Sequence, residues 1–108
     1  MRSVLENAIG EQRDMTELRA VLRRQLPLLG KRYGVASLGL FGSHVRREAG
    51  RESDLDLLVR FHQTPGLIRC IELEDYLSDL LGIRVHLVMA EALKPSIGRR
   101  VLSEVEPV

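Results

Sequence analysis

Residues 40–59 read LFGSHVRREAGRESDLDLLV. An apolar run, Val35–Phe41, stops abruptly at Gly42-Ser43, the pattern of a buried strand broken by a turn. Leu55–Phe61 then reads as a second strand. Alternate residues of a strand point to one face. Asp54 and Asp56 should therefore project together, about 7 Å apart at their Cα atoms from the strand rise. Leu55, Leu57 and Val59 should point the other way, into a core. Between the strands, residues 44–49 are expected to form a short helix and residues 50–53 a charged turn.

Upstream, the pattern is helical from Thr16. Leu18, Val21, Leu22, Leu26 and Leu29 recur at helix spacing, and Thr16 can cap the start. Pro27 is expected to kink or restart this helix, because proline removes a backbone donor. Gly34 is a natural C-terminal stop. Residues 1–14 read as an N-terminal extension. Ser3 and Glu6 could form a capping box there, but Gly10 interrupts it.

Downstream, Pro65-Gly66 marks a turn, and Leu67–Leu81 predicts an amphipathic helix that ends at Gly82. Cys70, Leu73, Leu77, Leu80 and Leu81 form its expected apolar stripe, with Arg69, Glu72, Asp75 and Asp79 facing solvent. A third strand is expected over 83–89. Pro95 can open a last helix running to about 103, since proline is tolerated in a first turn. The order is helix, strand, helix, strand, helix, strand, helix: an α/β (α+β) fold, a small mixed sheet flanked by helices, in one domain over 1–108.

Composition agrees with a folded domain. Of 108 residues, 44% are hydrophobic and 29% charged, values outside the disordered range. A net charge of +1 gives the whole-molecule field little say in partner choice. The positive charge is nearly all arginine, a bias that suits phosphate recognition but more often reflects genome base composition. The single cysteine, Cys70, excludes an internal disulfide and points to a reducing compartment, the cytoplasm. Cys70 reads as a small packed hydrophobe. No apolar run approaches a membrane span, and the first residues lack a signal peptide's apolar stretch. Tyr33, Phe41, Phe61 and Tyr76 are the only aromatics. They are thin material for base-stacking platforms, so direct nucleic-acid binding is not expected.

The chemistry concentrates in the opening stretch. Two adjacent carboxylates repel each other unless a cation or water screens them. Mg²⁺ suits the pair Asp54 and Asp56, because it takes hard oxygen ligands and bridges carboxylates to phosphates. A D-x-D pair alone more often marks a solvated, inert sheet face. The Gly42-Ser43 turn attracts anions through outward-pointing backbone N–H groups, glycine lets a phosphate approach, and the serine hydroxyl adds a donor. Alone, Gly-Ser is also an ordinary strand-to-helix turn. Together the two features place a phosphate cradle and a metal pair on neighbouring strand ends.

This G-S-x₁₀-D-x-D pattern resembles the signature of the polymerase-β-type nucleotidyltransferase superfamily. The longer stretch SLGLFGSHVRREAGRESDLDLLVRF is similar to the minimal nucleotidyltransferase family, the antitoxin half of HEPN/MNT toxin–antitoxin pairs. Similarity continues through IELEDYLSDLLG, RVHLV and EALKPSIGRRVLSEV, and covers about residues 16–106. The resemblance implies transfer of AMP from ATP to a hydroxyl, a tyrosine of a cognate HEPN ribonuclease toxin, with pyrophosphate leaving. It implies that Gly42, Ser43 and Arg46 bind the nucleotide phosphates, and that Asp54 and Asp56 hold Mg²⁺, with Mn²⁺ as the alternative. A solvated Arg46 is the competing reading for that residue.

Two positions depart from the family pattern. Arg47 stands where glycine is usual. Val85-His86-Leu87 stands where a V-D-L triplet usually supplies a third aspartate. Imidazole is a poor Mg²⁺ ligand and suits softer metals, yet it can serve as a general base. His86 is therefore the third catalytic candidate beside Asp54 and Asp56. The alternative is a catalytically weak or inactive relative that neutralises its toxin by binding alone. A free-standing transferase acting on RNA or an antibiotic fits less well, since the chain has no room for a separate acceptor-binding domain. Glu91 is the nearest downstream carboxylate. His44 reads as a solvated histidine at a helix start, with a nucleotide contact as the alternative, His62 sits in a turn, and the three histidines are too far apart in sequence for a zinc motif.

Overall fold

The computed structural model describes residues 15–42, 45 and 54–108. The N-terminal extension, the short helix over 44–49 and the turn over 50–53 lie outside the described residues. The chain runs α1 (Met15–Tyr33), β1 (Val35–Phe41), β2 (Leu55–Phe61), α2 (Leu67–Leu81), β3 (Val85–Met89), a 3₁₀ turn (Ala90–Ala92), α3 (Pro95–Glu104) and β4 (Glu106–Pro107). The sheet order is β3-β2-β1-β4. β1 is antiparallel to β2 and to β4, whereas β2 and β3 run parallel.

One face of this mixed sheet carries the core. Leu55, Leu57 and Val59 of β2 are fully buried, as alternation predicts, and pack with Leu38 and Leu40 of β1 and Val85 of β3. α1 adds Leu18, Leu22, Leu29 and Tyr33, and α2 adds Leu73, Leu77 and Leu81. The opposite face carries Asp56, Leu58 and Arg60. α3 lies over that side: Arg60 lines a cavity of about 560 Å³ with Lys94, Pro95, Gly98 and Leu102.

Four expectations need correction. α1 continues unbroken through Pro27. Its buried residues lie on both sides of the proline, and their shared core outweighs one missing hydrogen bond. The core-facing row of α2 is Leu73, Leu77 and Leu81, spaced by four. Leu80 is exposed and Cys70 only half-buried, so the stripe is narrower than the sequence suggests. β3 begins at Val85 and not at 83, because Gly82 closes α2 in the left-handed region (φ 68°) and Ile83-Arg84 complete the turn. A fourth strand follows the last helix.

β3 is an edge strand, and α2 closes that edge. Val85 N–H donates to Ser78 Oγ (2.9 Å) and Leu87 N–H to Glu74 Oε2 (2.9 Å). These two edge donors are thereby satisfied within the chain. β4 covers the other side. Gly39 pairs with Pro107 and Leu40 with Glu106, Val108 N–H donates to Leu38 O (3.0 Å), and an Arg19–Glu106 ion pair and an Arg23 Nε bond to an oxygen of Val108 (2.9 Å) tie the tail to α1.

Candidate active site

β1 ends where β2 begins, so Phe41 pairs with Asp56 and the Gly42 turn lies beside the aspartate. The contact is close. A Cβ on Gly42 would come within 2.2 Å of Asp56 Oδ2, and Gly42 has φ +86°. Both facts demand glycine: a side chain would be strained by the backbone and would expel the carboxylate.

The parallel register of β2 and β3 pairs Asp56 with His86. Strand alternation puts both on the face away from the core. His86 Nδ1 lies 3.1 Å from Asp56 Oδ1. The Asp56 side chain is 25% exposed and that of His86 58%, so the pair opens to solvent. A neutral imidazole protonated at Nδ1 donates to Asp56 and leaves Nε2 as an acceptor. Asp54 directly precedes β2 and is exposed.

The structure thus brings together Gly42, Asp56 and His86. Ser43, His44, Arg46 and Arg47 lie outside the described residues. Among the described residues, no three His, Cys, Asp or Glu side chains converge as a metal cluster. The donor set nevertheless fits Mg²⁺, which keeps several waters and is commonly held by one or two carboxylates plus substrate phosphates.

Glu91 is remote from this cluster. It sits beyond the C-terminal end of β3, where its carboxylate accepts from Thr64 Oγ1 (2.9 Å). Its pKa is lowered, first by a hydrogen bond to its own backbone, then by Thr64, against a smaller opposing effect of burial, with Arg60 adding the smallest pull. His62 also lies at that far end, its N–H donating to Gly34 O (2.9 Å).

The carboxylate that does reach the turn is one that sequence reasoning missed. Glu104, the last residue of α3, accepts the Gly42 N–H at Oε1 (3.1 Å). In this structure the Gly42 donor of the turn serves an internal acceptor. No local pattern flags Glu104, because 62 residues separate the partners.

A family model described as a nucleotidyltransferase domain matches residues 22–107. The protein adenylyltransferase MntA of Thermococcus cleftensis is 47% identical over 91 residues, covering 84% of this chain and 92% of that protein. A Methanocaldococcus jannaschii protein assigned as a protein adenylyltransferase is 46% identical over 80 residues, covering 74% and 82%. A solved structure described as a minimal nucleotidyltransferase superposes with a TM-score of 0.74 at 38% identity, over 90% of this chain and 98% of that one. A chain from the complex of tri-AMPylated Shewanella oneidensis HEPN toxin with MNT antitoxin gives a TM-score of 0.55 at 22% identity, over 99% and 71%. At that identity the likeness is one of fold.

Proposed function

The chain belongs to the nucleotidyltransferase domain family, with the polymerase-β-type fold, and on that premise we propose that it transfers AMP from ATP to a hydroxyl of a partner protein. The partner in this reading is a cognate HEPN toxin, the acceptor a tyrosine, and the place of action the cytoplasm. The observation that carries the chemistry is the contact of the Gly42 turn with the Asp56 carboxylate. An anion at the turn and a cation on the carboxylates would be parts of one substrate. The 47% identity to a protein adenylyltransferase supports AMP as the group moved. The fold shared with the complex of an AMPylated toxin and its antitoxin suggests the kind of partner.

Each residue has a role in this proposal. The acceptor oxygen attacks the α-phosphorus of ATP, the bond to the bridging oxygen breaks, and pyrophosphate leaves. Asp54 and Asp56 would hold a divalent cation, Mg²⁺ or Mn²⁺, which would neutralise phosphate charge and acidify the hydroxyl. Ser43 and Arg46 contact the phosphates, with Gly42 shaping the turn. His86 orients Asp56 through Nδ1 and takes the acceptor proton at Nε2. Among the described residues no helix is long and apolar enough to cross a membrane.

One observation favours the binding-only alternative: the group beside Asp56 is an imidazole and not a third carboxylate. Co-expression with the neighbouring gene product, followed by labelled-ATP transfer in Mg²⁺ and in Mn²⁺, separates the readings. The active enzyme should label its partner. His86→Asp should raise labelling in Mg²⁺ by about tenfold, since it adds a hard anionic ligand, and His86→Ala should lower it. A stable complex that takes no label with wild type in either metal would establish neutralisation by contact. Equal rates for all three proteins would make His86 a bystander.

A further inference from the structure

We infer that Glu104 is a positioning residue for the nucleotide site, a reading that rests on the proposed transfer chemistry. The Gly42 N–H is a donor at the mouth of that site, and its acceptor is the Glu104 carboxylate, 3.1 Å away. A hydrogen bond to an ionised acceptor is stronger than a neutral one and fixes the direction of its donor. Gly42 needs such fixing. Glycine has the widest conformational freedom of any residue, and here it must hold φ +86° with Asp56 Oδ2 where its own Cβ would be. A turn free to rotate would release the carboxylate and lose the direction of the backbone that follows.

The C-terminal tail is constructed to deliver Glu104 there. α3 ends at Glu104, and the next residues return along β1 as β4. Val105 crosses directly over Gly39, where a Cβ would meet its Cγ2 at 2.5 Å. Glycine thus stands in β1 under Val105, at Gly39, and just after β1 at Gly42, whose amide meets Glu104. The Arg19–Glu106 ion pair, the Arg23 bond to Val108 and the Val108–Leu38 backbone bond then lock the strand in register. A strand of two residues contributes little to a sheet by itself. Its placement of Glu104 gives it a role in the site.

Mg²⁺–ATP titration by calorimetry and the Gly42 amide signal in a ¹H–¹⁵N spectrum test this on wild type, Glu104→Gln and Glu104→Ala. Alanine should weaken Mg²⁺–ATP by about tenfold, the scale of one hydrogen bond to a charged group. It should also move the Gly42 amide upfield and speed its exchange. Glutamine keeps an acceptor oxygen and should restore affinity to within about threefold, with the amide shifted only part of the way. Thermal unfolding of each variant identifies any loss of fold, and the milder glutamine variant then carries the test. Unchanged affinity and an unmoved amide in alanine would overturn the inference. So would tighter ATP binding in alanine, which would make Glu104 a competitor for the phosphate, or glutamine as weak as alanine, which would make the charge itself the functional element. If wild type neither binds Mg²⁺–ATP nor labels a partner, the transfer reading fails, and the Gly42 amide alone decides whether Glu104 holds the turn.

Discussion

The paired strands β2 and β3 carry charged groups at both ends, and the two ends are built differently. At the near end, Asp56 touches His86, lies against Gly42, and has Glu104 one hydrogen bond away through the Gly42 amide. Every one of these contacts joins segments distant in sequence. At the far end, roughly 13 Å along the strand, Arg60, Thr64 and Glu91 form a looser group. There Glu91 is fully exposed and held by its own backbone and one threonine hydroxyl. At the near end the Asp56 carboxylate is hemmed in by the backbone of Gly42, which leaves no room for a Cβ. Charge at the far end rests on one exposed side-chain contact, Thr64 to Glu91, and is screened by water.

The sharpest way to break this contrast is to neutralise each end. Replacing Asp54 and Asp56 together by Asn should reduce Mg²⁺-dependent ATP affinity and AMP transfer by at least about 100-fold, as expected when a cation worth several kcal/mol is lost. Glu91→Gln should leave both within about twofold. Calorimetry with and without Mg²⁺ measures this, and equal ATP affinity in the double variant would disconnect the carboxylates from the nucleotide.

A smaller effect should come from the glycines. Gly42→Ala must adopt φ +86° and displace the Asp56 carboxylate, so it should lose about 1–3 kcal/mol of stability and most Mg²⁺–ATP affinity. Gly39→Ala meets a valine methyl beside Glu104, so it should affect stability and lower ATP affinity by no more than the roughly tenfold expected of Glu104→Ala. Urea unfolding and calorimetry on the two variants separate a site-specific glycine from a packing one. Equal losses of ATP affinity would mean that Gly42 has no special relation to Asp56.

The smallest effect belongs to the far end and appears only in acid. Glu91 titrates below its ordinary 4.5 in the folded chain, so its ionised form favours folding. That contribution is present above the unfolded value and is lost as pH falls through the lowered folded one. Wild type should therefore be slightly more stable than Glu91→Gln at neutral pH, with the difference vanishing on acidification. Thr64→Val, which removes a hydroxyl donor to Glu91, should shrink the pH-dependent part. Denaturant midpoints from pH 7 down to pH 3 follow it, and a pH-independent difference would show that Glu91 acts through packing.

Much of this architecture is legible in the chain because it is local. The 3.6-residue rhythm of α1 and α2 and the alternation Asp54-Leu55-Asp56-Leu57 fix which residues face a core. Gly34 and Gly82 mark helix ends through their left-handed backbones. The misreadings arise where a non-local force outweighs a local one. Pro27 is tolerated because leucines on both sides share a core, and Leu80 is exposed although its apolar character suggests burial.

The sequence by itself determined the helices α1 to α3, the strands β1 and β2 and the presence of β3, the face on which Asp56 lies, and the side of β3 that carries His86. Each follows from periodicity, which is written in neighbouring residues. Only the tertiary structure decided the partners. Alternation says which face a side chain takes but not which residue of the next strand it meets, so Asp56 opposite His86 is a matter of register. The same limit hid Glu104. Its place beside Gly42 depends on where α3 ends and how β4 returns along β1, and these long-range contacts are set by the packed core, with no signature in the residues around Glu104.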